Sequence, residues 1–148
     1  MKKIVNGLTL VTLALFVIAG IAGPALAAKT IKLHHLNKDD PFDNPTGAMA
    51  TVFKSLVEAG TNGSVTVQTF PNGQLGKDAD VLQQVKAGVI EAGIHSVGGF
   101  ASAYPLIGVI DVPFAFTNIS KTYEVFDGPF GDKMAADIEK KTGMHVLG

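Results

Sequence analysis

The sequence has 148 residues, with 12 lysines, 13 acidic residues, no arginine and no cysteine. The near-neutral balance excludes the basic surface that nucleic acid binding demands. The missing cysteine excludes disulfides, thiolate metal sites, a cysteine nucleophile and a lipid-bearing cysteine behind an export signal.

The length suits one domain, or an export segment followed by a small one. Met1-Lys2-Lys3 is a short positive start, and residues 8–21 form an uncharged, mostly apolar run. Pro24 then breaks the helix, and Ala25-Leu26-Ala27 supplies small residues at a cleavage site. This is the pattern of a cleaved secretory signal. The apolar run is short for a membrane span, which takes roughly 20 residues. Residues 1–27 are therefore expected to be a signal peptide and 28–148 the mature chain.

Residues 30–36 (TIKLHHL) alternate as a strand, with Ile31, Leu33 and His35 on one face and Lys32, His34 and Leu36 on the other. His34 and His35 then point apart and cannot easily share a metal, and no HxH or HExxH spacing accompanies them. One ring is expected under a helix and the other against a loop. A polar loop leads to Asn44, a cap for a helix with Pro45 at its first position. That helix is expected to run to about Ala59 and stop at Gly60. Met49, Val52, Phe53, Leu56 and Val57 form its apolar stripe.

Residues 64–70 predict a second strand, closed by Pro71-Asn72-Gly73. A second helix is predicted over 77–87, with Asp78 and Asp80 complementing its dipole and Val81, Leu82 and Val85 buried. Gly88 opens a third strand over 89–95. The order is βαβαβ, and connections too long for hairpins predict a parallel sheet with right-handed crossovers. Beyond it come a short helix at 100–104, a strand at 109–112, and Phe114 and Phe116 packed into the core beneath a loop. A helix capped by Ser120 or Asn118 runs to Phe126, and another ends at Thr142 before Gly143. Residues 144–147 (MHVL) predict a further strand.

No catalytic constellation assembles from the spacing. Gly93 to Gly98 reads Gly-Ile-His-Ser-Val-Gly, one residue too long for the Gly-x-Ser-x-Gly elbow, and a histidine beside the serine is not a positioned base. Residues 73–76 lack both phosphate-loop patterns. Glu91, Asp111 and Glu124 show no acid–base spacing. No catalytic residue, metal or cofactor is assigned.

The landmarks that remain run in a characteristic order. TIKLHHL precedes a proline-containing loop and an amphipathic helix. FPNGQLG follows at 70–76, then VLQQVKAGVIEAG, DVPFAF at 111–116, FDGPFGDKM and GMHVLG. In this order the chain resembles the N-terminal part of a DctP-type solute-binding protein of the TRAP (tripartite ATP-independent periplasmic) transporter family. The resemblance implies an α/β fold: a periplasmic-binding-protein type II-like lobe, with a mostly parallel sheet and flanking helices. It implies a monomeric, periplasmic receptor that closes two lobes on a small organic anion, a carboxylate or acidic sugar, and hands it to membrane permease subunits.

The same resemblance places a carboxylate-gripping arginine just after the strand matched by 144–147. This sequence has no arginine and stops at Gly148, so it is expected to be truncated before the second lobe is built. Alone, it is expected to fold marginally and bind poorly. Ligands of open α/β sheets sit at the C-terminal ends of the strands. By that rule the candidate cleft residues are His35, Leu36 and Asn37 after the first strand, and His95, Ser96 and Val97 after the third, with Ser96 foremost. Two other readings stand beside this one: a small exported α/β hydrolase, and a stand-alone periplasmic sensor or binding module.

Overall fold

A computed structural model describes residues 29–147; the expected signal segment lies outside them. β1 (Lys29–His35), α1 (Pro45–Gly60), β2 (Val65–Phe70), α2 (Asp78–Lys86) and β3 (Ala92–Ile94) follow one another. The strands form one parallel sheet in the order β2-β1-β3. The βαβαβ expectation holds. Leu33 of β1 lies between Thr69 and Ala92, and Ile31 lies opposite Val67. A central parallel strand is covered on both faces, and Leu33, His34 and His35 are accordingly all buried.

Asn44 starts α1 as expected. Its side-chain oxygen accepts from the N–H groups of Thr46 (2.9 Å) and Gly47 (3.3 Å), and Pro45 takes the first helical position. The buried side of α1 differs from the expected stripe. Ala50 joins Leu33 and Val67 in the core, with Phe53 and Val57 packed against it. Met49, Val52 and Leu56 face outward, Leu56 at 68% exposure. The reason is steric. Small residues let the helix approach its neighbours closely, and a Cβ on Gly47 would lie 2.7 Å from the Asp40 backbone nitrogen. Large side chains at three- and four-residue spacing identify the helix but not its rotation.

Helix α1 also finishes the edge of the sheet. Outward backbone groups of an edge strand need partners. The Val67 N–H donates to Glu58 Oε1 (2.9 Å), and Lys54 Nζ donates to the Val67 carbonyl (2.6 Å). Lys54 also donates to Glu58 (2.6 Å). The hydrogen bonds that Glu58 accepts, from Lys54 first and then from the Val67 N–H, hold its carboxyl below its ordinary range.

α2 buries Val81 and Leu82, as its pattern predicts. β3 is shorter than the expected 89–95. Glu91 explains the loss: its Oε2 accepts from the Lys32 backbone N–H (2.8 Å), and Lys32 Nζ donates to the Val89 carbonyl (2.7 Å). Side chains thus take the ladder's place there.

Four expectations downstream fail. The short helix comes earlier, as α3 (Val97–Phe100). Pro105–Asp111 forms a 3₁₀ turn where a strand was expected at 109–112. Proline lacks an N–H and fixes φ, which suits the first position of such a turn. Phe114 is 91% exposed rather than in the core, while Phe116 packs on Phe126 with ring centroids 5.3 Å apart. α4 (Ile119–Phe126) is capped by Asn118, and α5 (Pro129–Thr142) ends at Gly143, whose φ of 76° is the left-handed stop. Residues 144–147 pair with no strand among the described residues, so no strand forms there. Tyr104 Oη and Lys141 Nζ both donate to Asp137 Oδ2 (2.6 and 2.7 Å), tying α5 to the residue just before the 3₁₀ turn. Among the described residues no helix is long and apolar enough to cross a membrane.

Candidate functional site

In a parallel sheet each strand ends beside the start of the following helix. β1 and β3 therefore bring their C-terminal ends to the first turns of α1 and α2. A cleft of about 190 Å³ opens there, lined by Leu36, Asn37, Thr46, Asp78, Ile94, His95 and Ser96. Enclosed small-molecule sites run from about 300 to 1,000 Å³, so this is a shelf on one side of a ligand rather than an enclosure.

Four of the six residues selected by the strand-end rule line the shelf: Leu36, Asn37, His95 and Ser96. The other two do not. His35 is wholly buried, with Nε2 3.7 Å from Asp39 Oδ1. Val97 begins α3 and lies off the lining. Thr46, Asp78 and Ile94 are additions. Thr46 and Asp78 occupy the first turns of the helices that follow β1 and β2, where any βαβ unit places residues near strand ends. That topology was the available signal. Asp78 was assigned only a dipole role because its neighbour across the fold is invisible in the sequence.

The polar groups are held by one another. Asn37 Nδ2 donates to Thr46 Oγ1 (2.8 Å), which leaves the Asn37 carbonyl oxygen as an acceptor and the Thr46 hydroxyl as a donor. Ser96 Oγ caps α3 by accepting from the Gly99 N–H (3.1 Å), and its own proton is still available. His95 Nδ1–H donates to Asp78 Oδ1 (2.7 Å), and both side chains are largely buried. Two glycines make room for that pair. A Cβ on Gly93 would collide with His95 Nε2, and one on Gly99 would collide with Asp78 Oδ2.

Beneath the shelf lies His34, its ring 6.0 Å from that of His95. His34 is fully buried, and neither ring nitrogen has a hydrogen-bond partner among the described residues. Burial first, and then the His95 ring, push its pKa below the ordinary 6.5, while the Asp78 carboxylate pulls the other way. His34 and His35 do point apart, yet both are enclosed. A central strand at the floor of the site has no solvent face.

The chemistry available is recognition by hydrogen bonds. Among the described residues Ser96 meets no general base: the His95 Nδ1 is committed to Asp78, and its Nε2 is buried with no partner there. Among the described residues no cluster of three or more histidines, cysteines or acids is arranged to hold a metal ion. A second depression, of about 160 Å³, lies between Lys86 and Lys141, away from the strand ends. Lys141 is already paired with Asp137.

Residues 37–148 match the family model described as bacterial extracellular solute-binding protein, family 7 (DctP). The chain is 30% identical over 140 residues to the 2,3-diketo-L-gulonate-binding periplasmic protein YiaO of Escherichia coli K12, covering 93% of this chain and 41% of that one. It is 33% identical to the C4-dicarboxylate-binding periplasmic protein DctP of Rhodobacter capsulatus, covering 91% and 38%. Among solved structures, it superposes on the sugar acid binding protein of Advenella mimigardefordensis in complex with galactonate. That match has a TM-score of 0.70 at 33% identity and covers 76% of this chain and 36% of that one. The chain thus spans roughly two fifths of the length of these relatives.

Proposed function

Since the chain belongs to the bacterial extracellular solute-binding proteins of family 7, the DctP family, we propose that residues 28–148 form one lobe, the N-terminal one, of a TRAP-transporter receptor. The receptor captures a small organic anion, a carboxylate or a sugar acid, in the periplasm and delivers it to membrane permease subunits. Residues 1–27 direct its export. The observation that carries this reading is the shelf itself. Residues from two strand ends and two helix starts converge at the C-terminal edge of a parallel sheet, the edge where open α/β sheets take ligands.

Binding rather than catalysis suits the lining. Asn37, Thr46 and Ser96 present hydrogen-bonding groups, and among the described residues no nucleophile and base meet. A single shelf encloses only one side of a solute, so tight binding needs a second lobe. An exported hydrolase has no observation in its favour.

The test is a chimera that joins residues 28–148 to the C-terminal portion of the Rhodobacter capsulatus relative. Thermal unfolding is measured against a panel of dicarboxylates and sugar acids. A binder raises the stability as RT ln(1 + [L]/Kd), so a rise that grows with ligand concentration is expected for at least one acid. A folded chimera that no acid stabilises would contradict the receptor reading.

A further inference from the structure

In a parallel ladder, alternate residues turn their backbone groups to opposite sides. The Lys29 N–H donates to the Ser64 carbonyl (3.0 Å), so Thr66 and Gln68 face β1, while Val65, Val67 and Thr69 face outward from the sheet. Side chains of α1 meet this edge in place of a strand. Lys54 and Glu58 take the carbonyl and the N–H of Val67 at 2.6 and 2.9 Å, and the Val65 N–H donates to Thr61 Oγ1 (3.2 Å). Lys54, Glu58 and Thr61 succeed one another along one side of the helix. Among the described residues the Thr69 backbone groups meet no such partner.

The strand behind this guard is well suited to pairing. Val65–Phe70 reads VTVQTF, rich in β-branched residues and without a charge. Its outward residues are symmetric about Val67. A second copy related by a two-fold axis at that point would run antiparallel to it. Val67 would exchange both backbone bonds with its counterpart, and Val65 would face Thr69 of the other copy. The two strands would bring no like charges to the seam. A charge-assisted bond is about twice as strong as the neutral amide bond that an arriving strand offers. Val67, at the centre, carries two of them.

We propose that the outer edge of β2 is a latent docking surface for the β2 of a second copy, held shut by Lys54 and Glu58. The pair is an autoinhibitory contact. It lets the chain keep an uncharged, β-branched edge without joining copies through it. β2 lies across β1 from β3, and none of its residues lines the shelf, so this surface is independent of what the shelf binds.

The experiment compares the full chain with Lys54→Ala/Glu58→Ala by sedimentation over a range of concentrations, together with hydrogen exchange at the amides of Val67 and Thr69. The unaltered chain is the reference at each concentration. The double variant is expected to gain a species of about twice the reference mass, and exchange at both amides is expected to slow as concentration rises. Lys121→Ala/Glu124→Ala, which removes an exposed ion pair on α4, should match the reference. The absence of cysteine permits a direct test of register. Thr66 faces Gln68 of the other copy in this pairing. In the double-variant background, a mixture of Thr66→Cys and Gln68→Cys chains should therefore form mixed disulfides on oxidation well beyond the homodimers of either chain. Lys54→Met keeps the side-chain stem and frees only the Val67 carbonyl. It should dimerise more weakly, and it serves if the double variant does not fold. No gain in mass over the reference in either variant would overturn the inference. So would a dimer with unchanged exchange at Val67 and Thr69, or one without the mixed disulfide, because its contact would lie elsewhere.

Discussion

His95 Nδ1 lies 2.7 Å from Asp78 Oδ1, joining the end of β3 to the start of α2 across 17 residues of sequence. Both side chains are largely buried. A charge-assisted hydrogen bond of this kind is worth about 1.5–3 kcal/mol net. It also holds the Asp78 carboxylate in place at the shelf.

Gly99→Ala tests that relationship. A methyl group there collides with the Asp78 carboxylate, so either α3 or the pair must move. Overpacking of this kind costs about 1–3 kcal/mol, which a shift in the urea midpoint would register. The His95 ring resonances should move with it. Gly98→Ala next door is the control. A Cβ there meets nothing within 4 Å, and the change should stay within about 0.5 kcal/mol.

His34 gives the fold an acid-sensitive floor. Burial first, and then His95, hold its pKa below 6.5. Well above 6.5 the ring is neutral in both the folded and the unfolded chain and contributes nothing to pH dependence. Below 6.5 the unfolded chain takes up a proton that the folded chain resists, so stability falls with pH until the folded value is passed. His34→Leu sacrifices no hydrogen bond seen among the described residues, where both ring nitrogens are unpartnered. Urea midpoints measured from about pH 7.5 down to about pH 5, the range in which histidine titrates, should therefore decline less in the variant. Glu58 and Asp137, held below their ordinary 4.5 and 3.8, add losses only further into acid. An identical pH profile in His34→Leu would contradict this account.

The two helices flanking the shelf begin differently. Asn44 accepts from two N–H groups of α1, whereas Lys77, at the same position before α2, makes no side-chain cap. Asn44→Ala should cost about 1 kcal/mol, and Lys77→Ser should add stability of up to a similar size. Equilibrium unfolding of the two variants reads both signs.

Leu82 and Leu56 separate real burial from apparent amphipathicity. Leu82 is 2% exposed, and its truncation to alanine should cost about 2–5 kcal/mol. Leu56 belongs to the expected stripe of α1 yet stands in solvent, so Leu56→Ala should change stability by no more than about 0.5 kcal/mol. Comparable losses at both positions in denaturant unfolding would restore the stripe as the buried face.

Much of the frame was legible in the residues. Asn44-Pro45, Gly88 and Gly143 mark helix ends by local chemistry, a cap, a fixed φ or a left-handed stop, and each acts where it stands. Alternation in β1 and β2 and the length of their connections led to the parallel sheet. The illegible parts depend on distant partners. β3 is cut short because Glu91 reaches the Lys32 N–H. Residues 109–112 and 144–147 have strand-like composition but no strand beside them among the described residues. Phe114 is a large apolar residue in the open, and burial is a property of the neighbourhood rather than of the residue.

The same division holds at the site. By itself the sequence determined that Leu36, Asn37, His95 and Ser96 end their strands. Backbone periodicity and turn chemistry are local, and the strand-end rule needs nothing more. Only the tertiary structure decided that Thr46 and Asp78 share their shelf, that His35 and Val97 leave it, and that Asp78 is fastened to His95. Those facts come from two crossovers folding helix starts over strand ends, and from glycines at 93 and 99 that leave room for one close contact. A carboxylate's role is set by what it is pressed against, and that partner lies elsewhere in the chain.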